Sequence, residues 1–393
     1  MSVAVALQST NKNLLTYCFV GSEHISSWQQ THRLSARPRA RSGRRCVVET
    51  KTDSAEKQQR GQPDLFDSIH TLVEAKGSRD AIVFAQAAVA SRAPEDQGPS
   101  LLDALAGRAG RRIVDAACGT LTREIEGGSE IGYSYSAWCL AGLPHRERPA
   151  GEDWLIKTDY AQLLVRPGVR IRDNDTREPL AVPVGTLARL LLIDWQSEAY
   201  ERGSREIILG RNPNSLLTRL GLTRGGPVTR KLADQLERLA SCTIDFRFGS
   251  DRAAVVVNER LVEVFRYVGG EDPRTKRHAR WIERIVLSEA FYRELRRHPV
   301  LLDRAAIRDI QTSPRAIDVY LWLAFRLHAL EGDVMVSWAA LWRQFGREFR
   351  TLKSFKNEFQ EPLALALAVY HAARVRITDR GLLLAPSPPP IRR

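Results

Sequence analysis

The run Ser313-Pro-Arg-Ala-Ile-Asp-Val-Tyr-Leu-Trp-Leu-Ala-Phe-Arg-Leu327 decides how the C-terminal part of the chain is read. Ser313 is placed to cap a helix whose first residue is Pro314. Ile317, Tyr320, Leu321, Ala324 and Leu327 recur at the spacing of one buried stripe, so a helix is expected over Ser313–Leu330. Beyond it, Val334–Val336 predicts a short strand, Ala339–Phe345 a second helix, and the residues from Leu352 a third. Ala373–Leu384 predicts a hairpin closing on Asp379-Arg380-Gly381. This order of elements is that of a winged helix, in which the third helix enters a DNA groove and the hairpin flanks it.

The faces of that third helix differ in character. Leu352, Phe355 and Phe359 share one side; Arg350, Lys353, Asn357 and Gln360 share the other, flanked by Lys356. No acid falls between Arg350 and Asn357, and Asn and Gln can read adenine bidentately. The Trp338, Leu341, Trp342 and Phe345 set on the second helix is assigned to core. Pro362 breaks the pattern, because a proline inside a helix removes a backbone bond and costs about 3 kcal/mol. A kink or a restart is expected there, with Leu363–Tyr370 continuing as a core segment.

A second copy of the pattern lies upstream, between Val182 and Val268. Its first helix carries Leu187, Leu190, Leu191, Ile193 and Trp195, and a strand follows at Glu206–Leu209. Asn214 or Ser215 is placed to cap a helix ending at Gly221, and Pro227 to open the next. There Leu232, Leu236 and Leu239 fall within about 60° of one another. The opposite side carries Arg230, Asp234 and Arg238, flanked by Thr229, Lys231 and Gln235. Taken alone, such a run reads as a plain solvated face, which is what most charge runs are. Its third-helix position and its lack of an acid before Asp234 turn the reading toward DNA, with contacts in the first two turns. Thr243–Phe248 and Ala253–Val257 are expected to form the wing, with Leu261–Val268 as a further strand. Two modules in one chain suggest a protein that straddles a long DNA site.

Charge fits that reading. The chain has 393 residues and a net charge of +13, a surplus that favours a polyanionic partner, with nucleic acid ahead of a membrane surface. No run of 18 apolar residues occurs, so no membrane span is expected. Five cysteines lie far apart with no CxxC pair and read as reduced thiols of a cytoplasmic protein. The first sixty residues differ in composition. Arg33, Arg37, Arg39, Arg41, Arg44 and Arg45 crowd a stretch with no acid between Glu23 and Glu49. A disordered DNA-binding arm, an organellar transit peptide and a start placed upstream of Val47 or Val48 all remain open.

Between these parts, Leu65–Ala75 and Leu101–Ile125 have helical spacing. Trp154–Lys157 and Gln162–Val165 predict a hairpin through Thr158-Asp159, and Arg166–Glu178 reads as a loop. The basic stretch Pro273–Arg280 has two readings, a hinge that tracks the DNA backbone between the modules or an ordinary solvated linker. Ile285–Leu287 predicts a strand and the residues around Phe291 and Leu295 a helix.

From Glu130 onward several segments resemble one family in the same order. They are Glu130-Ile-Gly-Tyr-Ser-Tyr-Ser136, Leu143-Pro-His-Arg146, Ser204-Arg-Glu-Ile207, Ile285-Val-Leu-Ser288, His298-Pro-Val300, the Ser313–Leu327 run and Leu365-Ala-Leu-Ala-Val-Tyr370. The chain is similar to the RepA-type initiators of bacterial plasmid replication. The resemblance implies a non-enzymatic protein with winged-helix domains that binds repeated double-stranded DNA sequences at a plasmid origin and helps open the duplex. It also implies recruitment of the host replication initiator and helicase, a monomer–dimer equilibrium, and repression of its own promoter by the dimer. Pro362 and the long basic N-terminus depart from the family pattern.

Enzymatic readings lack their residues. Gly127 and Gly132 have P-loop spacing, but Tyr133-Ser134 follows where Lys and Ser/Thr are needed. No HExxH or zinc-spaced Cys and His set occurs. A DNA-nicking initiator needs two metal-binding histidines one residue apart and a nucleophilic tyrosine. The eight histidines never take that spacing, and Tyr133 and Tyr135 read as packed or backbone-bonded. His145 reads as a structural turn residue. A nicking enzyme with an unrecognised metal site and a plain transcriptional regulator stay as alternatives.

The expectation is therefore an α+β chain with a disordered basic tail over residues 1–64. An N-terminal region over 65–270 holds the first winged-helix module, with its core at 182–268, and a second module covers 281–393. The DNA-contacting set is Thr229, Arg230, Lys231, Gln235 and Arg238 in the first module. In the second it is Arg350, Lys353, Lys356, Asn357 and Gln360. No catalytic residue, cofactor or metal ligand is assigned.

Overall fold

Helix α1 (Arg108–Glu126) opens the part of the chain that the structure, a computed structural model, describes: residues 108–126, 128–171, 176–250, 253–269 and 281–391. The expected tail and the helix expected at Leu65–Ala75 lie outside these residues. Strand β1 (Ile131–Tyr135) follows, then a buried turn of helix, α2 (Ala137–Leu140). The predicted hairpin is present as β2 (Trp154–Lys157) and β3 (Ala161–Arg166), with Trp154 and Ile156 facing inward and Leu155 and Lys157 outward. Arg166–Glu178 is not a plain loop. It contains a small hairpin, β4 (Val169–Ile171) with β5 (Arg177–Pro179), too short to give a periodic signal.

Helix α3 (Gly185–Arg202) is buried from Ala188 to Ser197 without a break and ends at Gly203, whose φ of 63° is the left-handed conformation that stops a helix. Its buried side chains Arg189, Asp194, Gln196 and Ser197 are all engaged. Ser197 Oγ accepts from the backbone N–H of Tyr133 at 2.9 Å, and Gln196 Oε1 from that of Tyr135 at 2.7 Å. These bonds satisfy donors of β1 that its strand partner leaves free. Tyr133, stacked on Tyr200, and Tyr135 are buried and packed, as the sequence suggested.

After α3 come β6 (Glu206–Ile208), α4 (Pro213–Arg219) and α5 (Gly226–Ser241). Asn212, rather than Asn214 or Ser215, caps α4, accepting from Asn214 N at 3.1 Å. Next are β7 (Thr243–Ser250), β8 (Ala253–Arg260), β9 (Val262–Val268) and β10 (Trp281–Leu287). Their pairing corrects the expected wing. β7 and β8 extend the earlier hairpin into a four-stranded sheet, β2-β3-β7-β8, where Phe246 packs edge-on to Tyr135 and Trp138. The hairpin that pairs with β6 is β9–β10, in the order β6-β10-β9. The Pro273–Arg280 stretch falls in the connection between these two paired strands, so it joins strands of one sheet and is not a link between modules. Its own residues lie outside the described set.

Helix α6 (Glu289–Arg297) leads to β11 (Pro299–Asp303), which returns to pair antiparallel with β1, and to the short α7 (Arg304–Asp309). The second module then follows its sequence closely. Ser313 caps α8 (Pro314–Arg326), accepting from Ala316 N at 3.2 Å, and a 3-10 turn continues to Ala329. β12 (Val334–Ser337) and α9 (Trp338–Phe345) come next, then α10 (Leu352–Ala368), capped by Thr351. β13 (Arg374–Thr378) and β14 (Gly381–Ala385) close the sheet in the order β12-β14-β13. Gly381 is required there, since a Cβ on it would meet Val336 O at 1.9 Å. Pro362 neither ends nor restarts α10. The helix is continuous, and Pro362 and the following residues to Tyr370 are buried. Sheet and helix elements are intermixed along the chain, an α+β architecture.

Candidate nucleic-acid interface

The clearest candidate surface is the outer side of α10 with the β13–β14 hairpin. Phe355 and Phe359 are fully buried and pack with Phe345, Phe349 and Trp338. Anchoring these two residues, four apart, turns the opposite side outward. Lys353, Asn357 and Gln360 are exposed there, and Arg350 is exposed just before the helix. Lys356 is half-buried with Nζ 5.4 Å from the centroid of the Trp338 ring, a cation–π position.

Trp338 also sets where the hairpin lies. Its Nε1 donates to Thr378 O at 3.1 Å, while its ring meets Lys356 and Phe359. One indole thus separates the hairpin tip from the middle of α10. The hairpin carries Arg374, Arg376 and Arg380, all exposed and without an ion pair, and Arg347 in the turn before α10 is in the same condition. Sequence reading of the third helix missed these arginines. Arg374 and Arg376 alternate along a strand and Arg380 sits in its turn, a signal that was there to read.

The equivalent helix of the first module, α5, differs. Leu232, Leu236 and Leu239 are buried as expected, and Arg230 and Lys231 are exposed, with Thr229 half-buried. Gln235 corrects the expected face. It is 6% exposed and its Oε1 accepts from Val184 N at 2.8 Å, so its amide is turned inward to a backbone donor. Arg238 is half-buried and engaged by Glu147, by Asp234 at 2.9 Å and by Val182 O at 3.3 Å. Glu237 is held by Arg170 of β4, which donates to it through Nε at 2.7 Å. Only the first turns of α5 offer open cations.

A buried polar cluster joins the two modules around the loop Leu143–Glu147. Arg189 of α3 donates to Asp318 of α8 through Nε at 2.6 Å and Nη2 at 2.7 Å. It also donates to Leu143 O at 2.7 Å, Pro144 O at 3.2 Å and Gly185 O at 2.9 Å. His145 Nε2 lies 2.8 Å from Asp318 Oδ2, so the residue read as a turn histidine is part of the junction. Burial alone would push the Asp318 carboxyl up, but the Arg189 guanidinium and the bonds from His145 and Arg189 outweigh it and hold it down to about 2. Glu348, between α9 and α10, accepts from His145 N at 3.2 Å and Arg146 N at 2.9 Å. Burial works against its charged form too, yet His145 and these backbone donors hold its carboxyl below the usual range.

Among the described residues no group of three or more His, Cys, Asp or Glu side chains is placed to hold a metal, and no helix is long and apolar enough to cross a membrane. Cys118, Cys139 and Cys242 are buried and not disulfide-bonded, and burial pushes the Cys242 thiol up to about 12.

The described residues thus form an α+β chain that repeats a helix–strand–helix–helix–hairpin order and carries cations without ion pairs on α10 and its hairpin. Residues 182–341 match the family model described as plasmid-encoded RepA protein. Two solved structures, both of domains 2 and 3 of RctB, are similar at 10% identity. One has a TM-score of 0.41 over 65% of this chain and 99% of that one; the other has 0.34 over 61% and 84%. No curated protein matches the chain.

Proposed function

We propose that the chain initiates plasmid replication by binding repeated double-stranded DNA sites at an origin through two winged-helix modules. In this reading α10 enters the major groove and the β13–β14 hairpin lies along the adjacent backbone, while the first turns of α5 make a second contact. Bound copies help open the duplex and bring in the host initiator and helicase, a dimer represses the promoter, and the protein itself cuts no bond. The observation that carries this reading is the set of exposed, unpaired cations on one helix and its flanking hairpin: Arg347, Arg350, Lys353, Arg374, Arg376 and Arg380. Free cations at a surface gain most from a phosphate backbone, because binding releases its condensed counterions.

The test is a gel-shift series with the full chain and the DNA flanking its coding sequence, at two salt concentrations. Shifted bands on several direct repeats of about 20 base pairs, weakening steeply with salt, are the expected result. Binding confined to a single palindrome points to a transcriptional regulator instead. Cleavage of a supercoiled fragment with Mg²⁺ or Mn²⁺ overturns the non-enzymatic reading.

A further inference from the structure

We propose that the loop Leu143–Glu147 and the buried Arg189–Asp318 pair form a spacer that locks α5 and α10 at one separation, so that the chain reads two DNA segments only at one fixed spacing. This rests on the DNA-binding reading above. The contacts run without a gap from one helix to the other. Gln235 of α5 accepts from Val184 N, next to the start of α3. Five residues along, Arg189 spans to Asp318 of α8 with two short bonds and holds Leu143 O and Pro144 O. The other end of that loop reaches both helices. Glu147 pairs with Arg238 of α5, and the backbone N–H groups of His145 and Arg146 donate to Glu348, four residues before α10 begins. Two further ties brace the same junction. Arg343 of α9 makes a two-point pair with Asp159 in the β2–β3 turn at 2.6 and 2.7 Å, and Gln344 donates to Cys139 O at 2.9 Å.

The chemistry of these ties makes the junction stiff. Arg189 and Asp318 have side chains only 4% and 9% exposed, and their paired bonds fix orientation as well as distance. Swinging one module away would part the buried Arg189 and Asp318 charges and break their paired bonds. A flexible hinge would be built from exposed polar linkers instead. DNA presents its grooves at a helical repeat, so a rigid pair of reading helices accepts one phase and rejects the others.

The probe is the duplex that the wild-type full chain selects from a pool of random-sequence DNA, together with derivatives carrying insertions at the centre of the protected region. An insertion of about 5 base pairs turns the second half by half a helical turn and should weaken wild-type binding about tenfold or more. In Asp318→Asn the same insertion should cost less than about threefold, with binding to the original duplex reduced much less than in a variant of Lys353. If Asp318→Asn does not fold by circular dichroism, the double change Glu147→Ala with Glu348→Ala, which cuts the loop from both reading helices, takes its place. A folded variant that discriminates spacing as sharply as the wild type overturns the proposal, and so does a wild type indifferent to the insertion. If no duplex is enriched at all, the DNA-binding reading fails first and takes the spacer with it.

Discussion

The two third helices, α5 and α10, occupy the same place in their modules and bury the same kind of apolar stripe, yet they use their polar residues in opposite ways. On α5, Gln235, Glu237 and Arg238 all have partners within the chain: a backbone N–H, Arg170 and Glu147. On α10, Lys353, Asn357 and Gln360 have none, and the neighbouring hairpin adds three more open arginines. A polar side chain already bonded inside the fold must break that bond before it reads a base; an open one only exchanges water. The contrast assigns the two helices different work. In the function proposed above, α10 with its hairpin is the reader, and α5, mainly tied into the junction, has its first turns left over for DNA.

The largest expected effect tests that division. The triple change Lys353→Ala, Arg376→Ala, Arg380→Ala should weaken DNA binding by about a thousandfold and lower the salt slope by about 3, one unit per lost phosphate contact. Circular dichroism and thermal unfolding should be nearly unchanged, since these side chains bond nothing in the fold. A triple variant that binds like the wild type would move the reading surface elsewhere. Next in size is the acid sensitivity of the junction. The folded value for Asp318, about 2, lies below the unfolded one near 4, so its contribution is complete above about pH 4 and is lost as pH falls from 4 toward 2. Two pKa units correspond to about 2–3 kcal/mol. Comparing urea unfolding of the wild type and Asp318→Asn between pH 6 and pH 3 should show the gap between them narrowing as pH falls. A constant gap would mean that Asp318 does not titrate as its surroundings require.

The second module was legible because its signals are local. Ser313 and Pro314 start α8 where a cap and a proline belong, and the Phe355 and Phe359 pair fixes which side of α10 is buried. The first module was legible in its helices but not in its sheet. Three strands, β7, β8 and β9, follow α5 in succession, and nothing within them says which will pair with the three-residue β6. That choice is made by β10, beyond the Pro273–Arg280 connection. The β1–β11 ladder was missed for the same reason, since its paired residues lie 164 or more positions apart and neither strand alternates cleanly. Gln235 was misplaced for a different reason. A polar residue beside charged ones reads as surface, and its burial depends on a backbone donor 51 residues away. His145 was read as a turn residue, and its place in the turn is right, but the carboxylates that hold it come from 173 and 203 residues further on.

Gln235 and Gln360 give the comparison its sharpest pair of single changes. Gln235→Ala leaves the Val184 N–H buried and unbonded and should cost about 1–2 kcal/mol of stability, read as a lower urea midpoint at unchanged m-value. Gln360→Ala should leave stability within about 0.5 kcal/mol while weakening DNA binding. The opposite pattern, a stability loss at Gln360 and an affinity loss at Gln235, would exchange the roles of the two helices.

The smallest expected effect concerns what α5 still offers to DNA. Arg230 and Lys231 are exposed in its second turn, where the N-terminal end of the helix dipole also favours a phosphate. Gln235 and Arg238 are occupied, so no base-reading set extends along the rest of the helix. Arg230→Ala should therefore reduce affinity about tenfold or less, and by nearly the same factor on a specific and on a non-specific duplex, because a phosphate contact carries no sequence information. Measuring both duplexes decides the point. A loss confined to the specific duplex would make Arg230 a base reader, and α5 would then rank beside α10 despite having fewer open side chains.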